Sequence, residues 1–164
     1  SGKSTFINAV MNSKKVNKKG NWHAPNIQDI GYIDQFYSNL DSDVNVFETI
    51  SSRVSSWSTH KIREHLNDYL FKTNTDMEKK VVTLSEGEKA RLSLAVIGCQ
   101  TPKILILDEI TNNLDLETKK HLIDVLNVYP GTLIFVCHEK QLASQIKIDR
   151  NFIIEKGSLS SINS

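Results

Sequence analysis

The chain has 164 residues, of which 39% are hydrophobic and 24% are charged, and its formal net charge is +1 at pH 7. This balance excludes a disordered chain, which has fewer apolar residues and a larger net charge, and by itself favours neither a nucleic acid nor a membrane as partner. No apolar stretch approaches the roughly 20 residues that span a bilayer, so we expect no direct insertion into a membrane.

Strands and helices alternate along most of the chain. The runs KILILD and TLIFVC are apolar at nearly every position, which is typical of strands buried on both faces of a parallel sheet. In chain order the sequence predicts helix 3–11, strand 30–34, helix 59–71, helix 87–98, strand 103–108, helix 116–127, strand 132–137, helix 140–146 and strand 151–155, followed by a tight turn at Lys156-Gly157. The alternation predicts an α/β fold with a mainly parallel sheet flanked by helices.

The segment at about 40–84 interrupts this pattern. It is polar and contains one clear amphipathic helix, marked by Ile62, Leu66, Tyr69 and Leu70. We interpret it as a small helical insertion that packs beside the sheet.

The first residues, SGKST, match the end of a phosphate-binding loop, G-x-x-x-x-G-K-[ST]. Gly2 to Thr5 precede an apolar helical pattern, and the backbone N–H groups at a helix start favour an anion. Lys3 would reach the β- and γ-phosphates of a nucleotide, and the Ser4 hydroxyl would coordinate Mg²⁺. These letters alone could equally be a chance tetrapeptide in a turn.

Two adjacent carboxylates, Asp108 and Glu109, follow four apolar residues in ILILDE. Ligands of open parallel sheets bind outside the carboxyl ends of the strands, and two acids there are costly unless they serve a cation or a reaction. Asp108 therefore suits a Mg²⁺ ligand, direct or through water, and Glu109 suits the base for an attacking water.

The segment TLSEGEKARLSLAV at 83–96 resembles the signature of ABC ATPases, and Ser85 with Glu88 forms a predicted capping box that opens its helix. Gln35 closes the strand IGYIDQ as a Q-loop does. Asp115 follows ILILDEITNNLD as a D-loop does, and His138 follows TLIFVC as the switch histidine does. The motifs stand in the expected order, and the resemblance covers about residues 2–157.

The resemblance implies an ABC-type P-loop NTPase domain over 1–164 that lacks its N-terminal strands, with 40–84 and the signature helix forming a helical subdomain. Two such domains close face to face around two ATPs in this family, so Ser85 and Gly87 would contact a phosphate held by Lys3 of the opposite domain. The implied ATP-binding residues are Gly2, Lys3, Ser4, Thr5, Ser85, Gly87, Glu88 and Asp115; the metal ligands are Ser4, Gln35 and Asp108; the catalytic residues are Glu109, His138 and Gln35.

The segments GYIDQFYSNLDSDVNVFETI and HLNDYLFKTNTDMEKKVVTLSEGEKARL look like the ABC-F class. Members of that class have two ATPase domains in one chain, lack a membrane-spanning part, and act on ribosomes. The resemblance therefore implies a second ABC ATPase domain as partner, in the same chain or in a homodimer, and ribosomal RNA or the ribosome as a further one. The two cysteines have no metal-ligand spacing, which fits a cytoplasmic protein.

Two other functions remain as alternatives, and two more lack support in the sequence. A transporter subunit that binds a transmembrane permease and a non-hydrolysing, ATP-gated interaction module both remain as alternatives. A P-loop GTPase lacks support because the chain has no N-K-x-D motif. A chromosome-maintenance ATPase would need a long heptad insertion, which the sequence does not contain.

The sequence departs from the family pattern at four positions. Glu86 replaces the first signature glycine, Ile110 replaces the proline after Asp-Glu, Asn113 replaces a histidine, and Glu139 follows the switch histidine where aspartate is commoner. None of these removes a catalytic side chain, but Glu86 adds charge beside a phosphate-binding surface. The phosphate loop is also short of residues before Gly2, so we expect the 164-residue chain alone to bind ATP weakly and to hydrolyse it negligibly.

Overall fold

A computed structural model describes residues 2–14, 16–23, 25–111, 114–155 and 158–162. Asn113 and the predicted turn at Lys156-Gly157 lie outside these ranges. The described elements are α1 (Lys3–Val10), β1 (Ile30–Asp34), α2 (Val46–Ser51), α3 (Thr59–Asp68), α4 (Asn74–Glu78), α5 (Glu86–Gln100), β2 (Ile104–Asp108), α6 (Leu116–Asn127), β3 (Thr132–Val136), α7 (Lys140–Ala143), β4 (Asn151–Glu155) and β5 (Ser158–Ile162), with 3₁₀ turns at Ile27–Asp29 and Val81–Thr83.

The three strands β1, β2 and β3 form a parallel sheet in that order. Their register aligns Asp34 with Asp108 and Asp108 with Val136. The carboxyl ends of all three strands therefore meet at one edge, from which the chain continues into Gln35, Glu109 and Cys137. The predicted α/β fold with a parallel sheet flanked by helices is confirmed.

Burial across this sheet is uneven. The middle strand β2 is buried, with Leu105, Ile106 and Leu107 fully inaccessible. The outer strand β3 is only half-buried, and Thr132 at its start is exposed. The prediction that 132–137 is buried on both faces is therefore wrong: Leu133 and Phe135 pack against the core but stay partly exposed, as do Ile134 and Val136 on the other face.

A separate hairpin follows the sheet. The strand predicted at 151–155 is β4, and it pairs antiparallel with β5. The sequence did not predict β5, because SLSSI is short and mostly polar and so has no strong strand signal.

The segment at 40–84 contains the helices α2, α3 and α4, of which α2 and α3 pack on α5 and α4 packs on α2. Ile50, Leu66 and Leu92 are fully buried in one hydrophobic cluster. Capping boxes at Asn45 and Thr73 begin α2 and α4. These helices have six and five residues, too few to give a helical period, so the sequence predicted only α3. The division into a helical subdomain stays a prediction.

Two predicted helices end early. The helix expected over 59–71 is α3, which stops at Asp68 because Leu70 adopts a left-handed backbone with φ 67. The helix expected over 140–146 is the four-residue α7. Within the described ranges, none of the helices combines the length and apolar character that a bilayer crossing requires.

Candidate functional site

Three of the predicted site residues meet beside the carboxyl edge of the sheet. Lys3 Nζ lies 3.0 Å from His138 Nε2 and 3.6 Å from Glu109 Oε1. The same His138 nitrogen lies 2.8 Å from Glu109 Oε1. An ammonium, a carboxylate and an imidazole from three distant parts of the chain thus form one polar cluster, which we call the Lys3 cluster.

The backbone at Glu109 is unusual. Its φ of 57 places it in the left-handed region, which costs a residue other than glycine about 1–3 kcal/mol. The Glu109 N–H donates to the Val136 carbonyl at 3.1 Å, so the hydrogen bonding of the sheet continues one residue past β2 and holds this conformation. The turn directs the chain away from the strand immediately after Asp108.

Asp108 is electrostatically unfavourable in its ionised form. Burial, followed by the charge of Glu109, raises the pKa of Asp108 above its ordinary value. Tyr32 in β1 donates its hydroxyl to Asp108 Oδ2 at 3.4 Å. Burial and the charges of Asp108 and Asp34 raise the pKa of Tyr32 to about 12, so this hydroxyl remains a donor at neutral pH.

This donor set fits a hard cation that also binds phosphate. The carboxylates of Asp108 and Glu109 lie near the ammonium of Lys3, and the charge of Asp34 adds to the repulsion at Asp108, so a further cation would relieve that repulsion. In the described part of the chain, no three His, Cys, Asp or Glu side chains converge as a metal cage. Mg²⁺ is commonly held by one or two carboxylates plus phosphate oxygens and water, which matches Asp108 with the exposed hydroxyl of Ser4.

The loop that begins at Gln35 is fixed by hydrogen bonds to Asp34 and by the buried side chain of Tyr37. Asp34 Oδ1 accepts from the N–H groups of Phe36 and Ser38, each at 3.0 Å. Tyr37 is buried, and burial with the charge of Glu86 raises its pKa to about 12. The loop therefore packs toward the start of α5, while Gln35 itself is exposed at the sheet edge.

The helix α1 starts without a side-chain cap. Its N-cap is Gly2, and a Cβ there would lie 2.9 Å from Ile154 Cγ2 in β4. The hairpin therefore closes against the helix start, where any side chain in place of Gly2 would need a shift of Ile154. Ser4 and Thr5 in the first turn are exposed.

The start of α5 is stabilised by its own side chains. Ser85 Oγ accepts from the Glu88 N–H at 3.3 Å, and Glu88 Oε2 accepts from the Ser85 N–H at 2.9 Å, which confirms the predicted capping box. Lys79 bridges Glu88 at 2.9 Å and Asp76 at 3.1 Å. Although burial opposes it, hydrogen bonds from Lys79 and Ser85 lower the pKa of Glu88. Glu88 therefore fixes the cap.

Gly87 and Asp115 are neighbours in space. A Cβ on Gly87 would lie 2.8 Å from Asp115 Oδ2, so these two predicted residues belong to one group with Ser85 and Glu88. We call this group the signature face. Among the described residues, no hydrogen bond or ion pair joins its four members directly to the Lys3 cluster.

The structure accounts for three of the four departures from the family pattern: one is buried in the core and two form ion pairs. Ile110 is buried in the core. Glu139 pairs with Lys119 of α6 at 2.7 Å, which anchors the segment after His138. Glu86 pairs with Lys89 at 3.1 Å.

Sequence reasoning missed three residues that support these groups. They are Tyr32, which hydrogen-bonds to Asp108, and Arg91 and Thr118, which join α5 to Asp115. The two-residue period of side chains along a strand could have indicated that Tyr32 faces the opposite side from Gly31 and Ile33, as the structure shows. No local pattern pairs Arg91 with Thr118.

Comparison with known proteins points to one family. Residues 1–112 match the family profile described as "ABC transporter". The chain is 38% identical over 157 residues to the ATP-binding protein Uup of Buchnera aphidicola subsp. Schizaphis graminum, covering 93% of this chain and 24% of that protein. It is 33% identical over 159 residues to ABC transporter F family member 5 of Arabidopsis thaliana, covering 96% of this chain and 23% of that protein. The chain thus spans less than a quarter of the length of these two relatives.

A solved structure has the same fold. The dimeric ATP-binding cassette MJ0796, in a post-hydrolysis state bound to ADP and Pi, superposes with a TM-score of 0.72. The alignment covers 99% of this chain and 82% of that one at 19% sequence identity.

Proposed function

The chain belongs to the ABC transporter family, and from that premise we propose that it binds ATP with Mg²⁺ and hydrolyses it at the Lys3 cluster. The observation that carries the proposal is the convergence of Lys3, Glu109 and His138 within 3.6 Å beside the sheet edge. Phosphoryl transfer needs little covalent chemistry, so positioned charges supply most of the rate. The ammonium, carboxylate and imidazole of the Lys3 cluster are such positioned groups.

The phosphates would bind at the start of α1. Its first N–H groups lack a side-chain cap, and an anion at a helix start satisfies such donors. The Lys3 ammonium, which contacts Glu109 and His138, would turn to the β- and γ-phosphates when a nucleotide binds. Gly2 and Thr5 complete this turn.

Asp108 is the residue best suited to hold the metal, because its carboxylate ends a buried strand beside the Lys3 cluster. Mg²⁺, when bound, neutralises charge on the phosphate oxygens. Asp108, Ser4 and Gln35 would hold it, directly or through water. The Tyr32 hydroxyl orients the Asp108 carboxylate by its hydrogen bond.

Glu109 would act as the base that polarises the attacking water. Its carboxylate follows the proposed metal ligand directly, and His138 Nε2 lies 2.8 Å away. His138 would contact the γ-phosphate and keep Glu109 oriented. Gln35, exposed at the same edge, would position metal and water.

The signature face would serve the nucleotide of a second ATPase domain. Ser85, Gly87, Glu88 and Asp115 make no direct hydrogen bond or ion pair with the Lys3 cluster among the described residues, so a role at a second site suits them. The similar solved structure is itself a dimer. The partner would be a second domain of the same polypeptide or a second copy.

We further propose that the domain works in a cytoplasmic ABC-F protein on the ribosome. The similarity to a plant ABC transporter F family member supports the class. The alternative is an ATP-binding subunit on a transmembrane permease. Sedimentation with ribosomes, with and without ATP, distinguishes the two, because only an ABC-F protein should co-sediment with them. In either case 40–84 with α5 would act as the helical subdomain.

Phosphate release by the full-length protein tests the proposed activity. Lys3→Ala should abolish Mg-dependent ATP binding, measured by calorimetry, and ATP turnover. Lys14→Ala is the matched control, because Lys14 is exposed and outside the cluster. Equal binding by Lys3→Ala and the wild type would overturn the proposal.

A further inference from the structure

A chain of hydrogen bonds joins the signature helix α5 to the start of α6. Arg91 Nη1 donates to Thr118 Oγ1 at 2.6 Å, and Thr118 Oγ1 donates to Asp115 Oδ2 at 2.9 Å. Thr118 is fully buried, and the Arg91 side chain is 15% exposed. We call these three side chains the Arg91 relay.

The relay determines where the Asp115 carboxylate lies. Its second oxygen, Oδ1, accepts from the Thr118 N–H at 2.8 Å, so Thr118 contacts both oxygens. Gly87 closes the opposite side, where a Cβ would lie 2.8 Å from Oδ2. Hydrogen bonds from Thr118, together with the charge of Arg91, lower the pKa of Asp115. The carboxylate is thus ionised and held in one orientation.

The Asp115 side chain nevertheless remains 57% exposed. A helix cap alone needs only the bond from the Thr118 N–H to Oδ1. The other oxygen, Oδ2, also accepts from the Thr118 hydroxyl, and the largely buried Arg91 guanidinium lies behind that hydroxyl with Nη1 4.0 Å from Oδ2. The relay therefore constrains the carboxylate more than capping requires.

The Arg91 side chain is also expected to lower the stability of the fold, because one of its polar atoms is buried without a partner. Its Nε is buried without a hydrogen-bond partner, as is Nε2 of His121, and the charge of Arg91 helps to lower the pKa of His121. A buried charged group is often matched or surpassed in stability by an apolar side chain of similar volume. Core packing alone does not account for a guanidinium here.

We propose that Arg91 and Thr118 are positioning residues for Asp115. They fix its carboxylate on the signature face, at the surface that the second domain's nucleotide would meet. This role rests on the proposed function, because it concerns ATP turnover by paired domains. Arg91 and Thr118 contact neither the substrate nor the metal; they act through Asp115.

Two substitutions of Thr118 separate the hydroxyl from the shape of the side chain. Thr118→Val removes the hydroxyl at nearly constant volume, and Thr118→Ser retains it. In the full-length protein, Thr118→Val should lower kcat by about tenfold or more, since small misplacements can have large effects on rate. The KM for ATP should change little, because the same chain's phosphate site is untouched. Thr118→Ser should keep kcat close to the wild-type value.

A double-mutant cycle with Asp115 then tests the path of the effect. If Thr118 acts through Asp115, Thr118→Val should lower kcat in the wild type and leave it unchanged in an Asp115→Ala background. Arg91→Met should behave in the same way as Thr118→Val. A melting curve of each nucleotide-free variant shows whether it is folded and separates stability from turnover.

Three results would overturn the positioning role. One is a lower melting temperature of Thr118→Val with unchanged kcat, which indicates a structural role alone. The second is an equal loss of kcat in both backgrounds, and the third is an unaffected Asp115→Ala variant. A wild-type protein without ATPase activity would contradict the proposed function, whereas an active wild type that tolerates Thr118→Val contradicts only this inference.

Discussion

Lys3 Nζ lies 3.0 Å from His138 Nε2, although 135 positions separate the two residues in the chain. The contact joins the first helix to the segment after β3, and Glu109 lies against both side chains. The carboxylate of Glu109, the proposed base, therefore neutralises the ammonium that would bind the phosphates. Nucleotide binding would exchange that carboxylate for phosphate oxygens, which leaves Glu109 free for water.

Asp108 should destabilise the nucleotide-free protein. Its folded-state pKa is raised above the ordinary value of 3.8. The folded form therefore retains the proton to higher pH than the unfolded form, and stability is lost as pH rises from 3.8 through the folded pKa. Asp108→Asn should raise the melting temperature at pH 7 and abolish Mg-dependent ATP binding.

Asp149→Asn is the matched control for that change, because Asp149 is an exposed aspartate away from the sheet edge. Its melting temperature should stay at the wild-type value. A lower melting temperature for Asp108→Asn would mean that the Asp108 carboxylate makes a net favourable contribution.

His121 should make the fold sensitive to mild acid. Burial, followed by the charge of Arg91, lowers its pKa below the ordinary value of 6.5. As pH falls, the unfolded chain binds a proton at this histidine before the folded chain does. The free energy of unfolding therefore decreases as pH falls from 6.5 to the folded-state pKa. His121→Phe should keep the edge-on contact with Tyr69 and weaken this pH dependence.

Melting temperatures between pH 7.5 and 5.5, on the order of one unit either side of the ordinary histidine pKa, measure the effect. His23→Phe is the control, because His23 is exposed. If His121→Phe and the wild type lose equal stability over this range, the acid sensitivity comes from other groups.

Glu86 should weaken ATP-driven pairing of two domains. Its carboxylate lies in the first turn of α5 and pairs with Lys89 at 3.1 Å. The helix dipole favours a negative charge there by about 0.3 to 1 kcal/mol, but the phosphates of a second domain would repel it on closure. Glu86→Gly should therefore tighten ATP-dependent association.

Sedimentation of the full-length protein with ATP measures that association. Glu86→Gln removes the charge and retains the side chain, so it should change association in the same direction as Glu86→Gly. Equal or weaker association of both variants would mean that Glu86 points away from the second nucleotide.

Local patterns predicted most elements that carry the candidate site. The apolar run ending at Asp108 and Glu109 predicted both β2 and the edge where the Lys3 cluster lies. The spacing of Ser85 and Glu88 predicted the start of α5. Each of these signals depends only on residues that are close together in the sequence, so each could be predicted without the structure.

Features that depend on distant contacts were not predictable in this way. Arg91 and Thr118 meet across 27 positions, and no periodicity indicates their contact. The half-burial of β3 depends on the position of that strand in the sheet and not on its apolar sequence. The early end of α3 follows from the left-handed backbone of Leu70, a residue type that gives no such signal.

The central claim is that Glu109 is the base for ATP hydrolysis, and the rate of phosphate release by a variant at that position tests it most directly. In the full-length protein, Glu109→Gln retains the size of the side chain and removes the base, and Glu78→Gln on α4 is a matched exposed control. Steady-state phosphate release by Glu109→Gln should fall by roughly 10² to 10⁴, the usual range for a positioned general base, while calorimetry still detects Mg-dependent ATP binding. Turnover equal to that of the wild type and of Glu78→Gln would contradict the account.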